Sequence, residues 1–101
     1  MSFLKKLFGG SSPDLKELVN NGAQIIDVRT PAEFQGGHIK GSVNIPLQVL
    51  EKNLNKINKD LPVIACCASG MRSGSAKSIL SSKGYAVYNG GGWSSLQSKL
   101  K

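Results

Sequence analysis

Acidic residues are scarce in this chain: six Asp and Glu stand against thirteen Lys and Arg, for a formal net charge of +7 over 101 residues. Such a balance favours an anionic partner. Eleven of the thirteen basic residues are Lys, spread along the chain with no Arg-rich helix and no aromatic RNA-binding signature. They read as a solvated surface and not as a nucleic-acid face. Long apolar runs are missing too. No stretch reaches the roughly 18 residues that a membrane-spanning helix requires, so stable membrane insertion is not expected. Cysteine is limited to Cys66 and Cys67. Neighbouring Cα atoms lie about 3.8 Å apart, closer than a normal disulfide prefers, so both thiols are expected free, as in a reducing, cytoplasmic setting.

With 40% hydrophobic and 19% charged residues, the chain suits one folded domain with a modest core. Residues 1–12 read as a short N-terminal extension and 13–101 as the domain. In "MSFLKKLFGG", two lysines interrupt the apolar residues and no cleavage site follows, which argues against a secretory signal. Phe3, Leu4, Leu7 and Phe8 fall at helical spacing, but so short a segment is expected to fray, with "GGSS" as a hinge.

Further along, "SSPDLKELVNNG" carries helix punctuation, with Ser12 as cap, Pro13 in the first turn and Gly22 as stop. "AQIIDV" is a short strand, and "TPAEF" repeats the cap-then-proline device for a single helical turn. "GSVNIP" reads as a brief strand. "LQVLEKNLNKIN" reads as a helix with 47, 50, 54 and 57 on one face. "LPVIACC" is a continuous apolar run, as expected of a strand buried on both faces. "SGSAKSILSSKG" is a small-residue helix, "YAVYN" a strand, "GGG" a turn and "WSSLQSKLK" a last helix. This alternation implies an α/β domain with a largely parallel sheet.

The chemistry concentrates in "IACCASGMRSGSAK". In parallel α/β sheets, ligands bind beyond the carboxyl ends of strands, where this loop falls. Backbone N–H groups wrapped around it, with a helix amino end behind them, would cradle an anion and stabilise a thiolate. Gly70 permits the turn, and Arg72 can offer forked donors to an oxyanion. Counted from Cys66 the loop is C-x5-R-S, a phosphate-cradling spacing; counted from Cys67 it is C-x4-R. Both spacings remain open on the count alone.

The chain is similar to single-domain rhodaneses, thiosulfate sulfurtransferase-like proteins, in three ordered stretches. They are "DVRTPAEFQGGHIKGSVNIP" (27–46), "CASGMRS" (67–73) and "YNGGGWSSL" (88–96). The resemblance implies a rhodanese-like α/β fold with a five-stranded, mainly parallel sheet flanked by helices. It implies Cys67 as the nucleophile, with Ala68, Ser69, Gly70, Met71, Arg72 and Ser73 forming the substrate loop. The sulfur of a small anionic donor such as thiosulfate would ride on Cys67 as a persulfide and pass to cyanide, a thiol or a protein acceptor, with no metal or organic cofactor. Ser69, Gly70, Arg72 and Ser73 fit the family pattern only when Cys67 leads the loop. Ala68 and Met71 depart from it, where bulkier polar residues are common. Cell-cycle-type cysteine phosphatases share the fold and use C-x5-R, but with His before the Cys, where this chain has Ala65. That leaves two alternatives beside the enzyme: a persulfide carrier for a protein partner, and a phosphatase acting through Cys66. Asp27 and Arg29 read as an internal ion pair, with donor binding by Arg29 as the alternative. Glu33 reads as the partner of a nearby base, His38 as structural, Gly41 and Pro46 as turn residues, and Trp93 as packing for the last helix.

Overall fold

Four strands, β1 (Gln24–Asp27), β2 (Val43–Asn44), β3 (Val63–Cys67) and β4 (Val87–Gly92), form one sheet in the order β2-β1-β3-β4, all parallel. The structure is a computed structural model that describes residues 14–101. The expectations for residues 1–12, and for Ser12 and Pro13 as helix starters, lie outside the described residues. Helix α1 (Leu15–Asn20) is capped by Asp14, whose side chain accepts from Glu17 N. Strand β1 follows, then α2 (Pro31–Gln35). In α2, Thr30 and Glu33 form a reciprocal capping box and Pro31 opens the first turn. Helix α3 (Met71–Ser82) lies between β3 and β4, and α4 (Trp93–Lys99) follows β4.

Every residue of β3 is buried, because the sheet is covered on both faces. The two-residue period of the strands divides the core. Ile26, Val63, Ala65 and Cys67 face α3 and the segment holding Leu50 and Ile57. Ile25, Ile64 and Cys66 face the other way, against Leu96 of α4 and the half-buried Leu15, Leu18 and Val19 of α1.

Three expectations need correction. The sheet has four strands among the described residues, where the family resemblance implied five; each of the four falls on a segment read above as a strand. Residues 47–58 do not form an α-helix but two 3₁₀ stretches, Leu47–Val49 and Glu51–Lys56. Asn53 leaves helical geometry (φ −123°, ψ 25°), and its side-chain amide donates to the Val49 carbonyl at 2.8 Å. Asn side chains compete with helical hydrogen bonds in this way, while the apolar spacing still delivers Leu50 and Ile57 to the core.

The third correction concerns "GGG", which belongs to β4 and is not a turn. The register skips between Ala65 and Cys66, which pair with Asn89 and Gly91, so Gly90 is the extra residue of a bulge. A Cβ on Gly90 would sit 2.8 Å from Ile64 Cγ2 and 2.9 Å from Leu96 Cδ2. One on Gly92 would sit 2.9 Å from the Ala68 carbonyl. The glycines thus let β4 close tightly against β3 and against the loop beyond it.

Candidate active site

Strand β3 ends at Cys67, and α3 begins four residues later. Ala68 and Ser69 between them are exposed, and Gly70 takes the left-handed conformation (φ 103°) that lets the chain turn at once into the helix. No side chain caps α3. The Gly70 amide instead donates to Cys67 Sγ at 2.9 Å. The Cys67 thiol faces Ser73 Oγ at 3.4 Å, and the Ser73 hydroxyl in turn donates to Asn89 Oδ1 at 2.7 Å. The loop therefore turns its polar groups toward the sulfur.

The two thiols differ sharply in environment although both are fully buried. Cys66 lies on the α4 side of the sheet. Burial, reinforced by the charge of Asp27, pushes its thiol up to about 12. Cys67 is also opposed by burial, but the Ser73 hydroxyl, when turned toward the sulfur, and the amides of Ser73, Gly70 and Ser69 outweigh this. Together they hold its thiol below the ordinary value. Near neutral pH, Cys67 is the better source of thiolate.

Arg72 makes a forked bond to Glu33, Nη1–Oε1 at 2.7 Å and Nη2–Oε2 at 2.9 Å. Both side chains remain about a third exposed (36% and 37%). Glu33 is thus the expected partner of a nearby base, and α2 is tied to α3 across the mouth of the loop. The Arg72 guanidinium, the Thr30 amide and the Thr30 hydroxyl hold the Glu33 carboxyl down at about 2. Glu33 in turn raises the Arg72 pKa. The charge of Arg72 is shared with Glu33, so an anion entering the loop competes with that carboxylate for the exposed part of the guanidinium.

Asp27 and Arg29 form the internal pair expected of them. Arg29 Nη2 lies 2.7 Å from Asp27 Oδ2, and its other donors reach the carbonyls of Gly37 and Glu33. The guanidinium also lies 4.8 Å from the centre of the Trp93 ring. Arg29 is only 3% exposed, so its donors serve the scaffold and not a donor anion. Removing either member of such a buried pair costs about 3–5 kcal/mol. His38 is exposed, stacks on Phe34 and makes its ring contact with the Phe34 carbonyl at 2.8 Å, in keeping with a structural part. Met71 projects from the loop at 82% exposure.

Asn89 was overlooked by the sequence reading. It sits in "YNGGGWSSL", yet its carbonyl anchors both Ser73 Oγ and, at 2.9 Å, the Gly91 amide. The available signal was an Asn ahead of glycines, a residue prone to bond the backbone two positions on. A cavity of about 550 Å³ lies beyond it, beside Lys16, Lys77 and Lys99, and neither cysteine lines this cavity. Among the described residues, no group of three or more His, Cys, Asp or Glu is placed to hold a metal ion, and no helix is long and apolar enough to cross a membrane.

Comparison with known proteins agrees with this fold. The family model of the rhodanese-like domain matches residues 11–99. YqhL, an uncharacterized protein of Bacillus subtilis, is 46% identical over 81 residues, 78% of this chain and 64% of YqhL. The thiosulfate sulfurtransferase PspE of Escherichia coli is 41% identical over 70 residues, 66% of this chain and 67% of PspE. Among solved structures, a rhodanese-like domain protein of Staphylococcus aureus aligns with a TM-score of 0.69 at 31% identity. That match covers 93% of this chain and 83% of the other.

Proposed function

The chain belongs to the rhodanese-like domain family, and from that premise we propose that it is a sulfurtransferase whose nucleophile is Cys67. The observation that carries this reading is the unequal pair of thiols. Cys67 faces the loop amides, while Cys66 is pushed up to about 12 on the opposite face of the sheet. The Cys67 thiolate attacks the outer sulfur of thiosulfate or a similar sulfane donor. The donor's S–S bond breaks and sulfite leaves with the bonding electrons. Cys67 is left as a persulfide. An acceptor nucleophile then attacks the outer sulfur: cyanide leaves as thiocyanate, or a thiol as its own persulfide. Cys67 returns as thiolate. No net oxidation occurs, and the carried atom supplies the chemistry that a cofactor would otherwise provide.

In this reading Ala68, Ser69, Gly70, Met71, Arg72 and Ser73 form the donor loop. The amides of Ser69, Gly70 and Ser73 stabilise the charged sulfur, and Arg72 attracts the donor's anionic head. Cys67 has no exposed surface, so a donor reaches it only when the residues around the sulfur move aside. Two free thiols suit a reducing compartment such as the cytoplasm. The phosphatase reading through Cys66 loses support, because that sulfur lies on the wrong face and resists ionisation.

The test is thiosulfate-to-cyanide turnover in the reduced wild-type protein, Cys67→Ser and Cys66→Ser. Turnover in the wild type and Cys66→Ser, with none in Cys67→Ser, supports the proposal. Persulfide formation without turnover would make the domain a sulfur carrier. Phosphatase activity that survives Cys67→Ser would overturn the reading.

A further inference from the structure

Asn89 is exposed at its outer edge but reaches the network beneath the sulfur. Its orientation follows from Gly91. The Gly91 N–H can only donate, so the amide atom 2.9 Å from it is the oxygen. That same oxygen lies 2.7 Å from Ser73 Oγ and can only accept, so it takes the Ser73 proton. Ser73 has one hydroxyl proton to give. With that proton on Asn89, the lone pairs of Oγ face Cys67 Sγ at 3.4 Å and receive the thiol proton. The chain of donors runs from sulfur to Ser73 to Asn89, a direction that suits a neutral thiol.

Ionisation reverses the demand. The Cys67 sulfur becomes an acceptor, and Ser73 can serve it only by swinging its proton away from Asn89. Gly70 O, 3.1 Å from Ser73 Oγ, is a weaker competitor at longer range. In a persulfide the inner sulfur carries no charge and demands no donor, so Ser73 keeps its proton on Asn89, although that sulfur no longer has a proton to give Ser73.

We propose that Asn89 is a positioning residue that holds the Ser73 hydroxyl away from the Cys67 thiolate, favouring the neutral thiol and the persulfide over the free thiolate. The inference rests on Cys67 being the reacting thiol, and its test reads the thiol itself instead of sulfur transfer. Among the described residues, the other charged or titratable groups near this network are the Arg72–Glu33 pair from α3 and α2, the Asp27–Arg29 pair at the end of β1, the Cys66 thiol, and Asp14, Lys16, Lys77, Tyr88 and Lys99, which line the cavity that Asn89 borders. None of these is hydrogen-bonded to Asn89, so its replacement leaves their bonds in place.

The experiment follows iodoacetamide alkylation of Cys67 against pH, with the modified peptide located by mass. Four proteins are compared: wild type, Asn89→Ala, Ser73→Ala and the double variant. Loss of a competing hydrogen bond should lower the Cys67 midpoint by about half to one pH unit in Asn89→Ala. This corresponds to roughly three- to tenfold more thiolate below the midpoint. In the Ser73→Ala background, Asn89→Ala should leave the midpoint unchanged. Asn89→Asp keeps an acceptor for both Ser73 and Gly91, so its midpoint should stay at or above that of the wild type. It decides the question if Asn89→Ala does not fold. An unchanged midpoint in Asn89→Ala, an equal fall with and without Ser73, or a fall in Asn89→Asp would overturn the proposal.

Discussion

Replacing Gly90 with Ala adds one methyl group at the bulge that brings β4 against β3. Its Cβ would meet Ile64 Cγ2 at 2.8 Å, Leu96 Cδ2 at 2.9 Å and the Ala65 carbonyl at 3.1 Å. Ile64 and Leu96 are fully buried, and the carbonyl is backbone between paired strands, so none of the three has free space to retreat into. Over-packing of this kind costs about 1–3 kcal/mol, or roughly 5–20 °C in Tm for a domain of this size. Gly36→Ala is the control. Gly36 has helical φ (−73°), and the nearest atoms to an added Cβ lie at 3.5 and 3.7 Å. That substitution should be neutral or stabilise by about 0.4–1 kcal/mol. Urea denaturation of both variants, read at constant m, measures the difference. Repeating Gly90→Ala in a Leu96→Val background, which removes the Cδ2 atom, should reduce its cost by at least about 0.5 kcal/mol. A Gly90→Ala cost below about 0.5 kcal/mol, or one unaltered by Leu96→Val, would refute the packing argument.

Arg72→Ala should fold and use thiosulfate about ten- to a hundredfold less well, from loss of a charged donor to the anion. An unchanged thiosulfate dependence in the folded variant would remove Arg72 from the site. Glu33 is held at about 2 against an ordinary 4.5, by Arg72 first and Thr30 next. A depressed carboxyl contributes stability above its unfolded pKa, and that contribution disappears as pH falls from about 4.5 through 2. Glu33→Gln should therefore lose stability at neutral pH and show a flatter acid dependence in that window, measured by denaturant midpoints. Equal slopes in both proteins would contradict the pairing.

The apolar runs ending at Asp27 and Cys67 announced the central strands, and Thr30-Pro31 announced α2, because these signals are local: burial on both faces and a capping box within four residues. The loop was legible for the same reason, since its glycine, its arginine and its place between strand and helix are written consecutively. What escaped depends on contacts distant in the chain. The helical period at 47–57 showed which side chains face the core, but not that Asn53 would break the helix by bonding Val49. The three glycines resemble a turn until Ile64 and Leu96 are brought against them. Asn89 gains its meaning only when β4 is laid beside Ser73, sixteen positions away in the chain. The pairing of Glu33 with Arg72, thirty-nine positions apart, could be named only as some nearby base.

The most direct test of the account is where a transferred sulfur comes to rest. Reduced protein is incubated with thiosulfate, freed of donor, digested under non-reducing conditions and mapped by mass. The account predicts one added sulfur atom on Cys67, retained in Cys66→Ser, absent in Cys67→Ser and removed from the protein by cyanide. Sulfur found on Cys66, or added equally well to the Cys67→Ser variant, would contradict it.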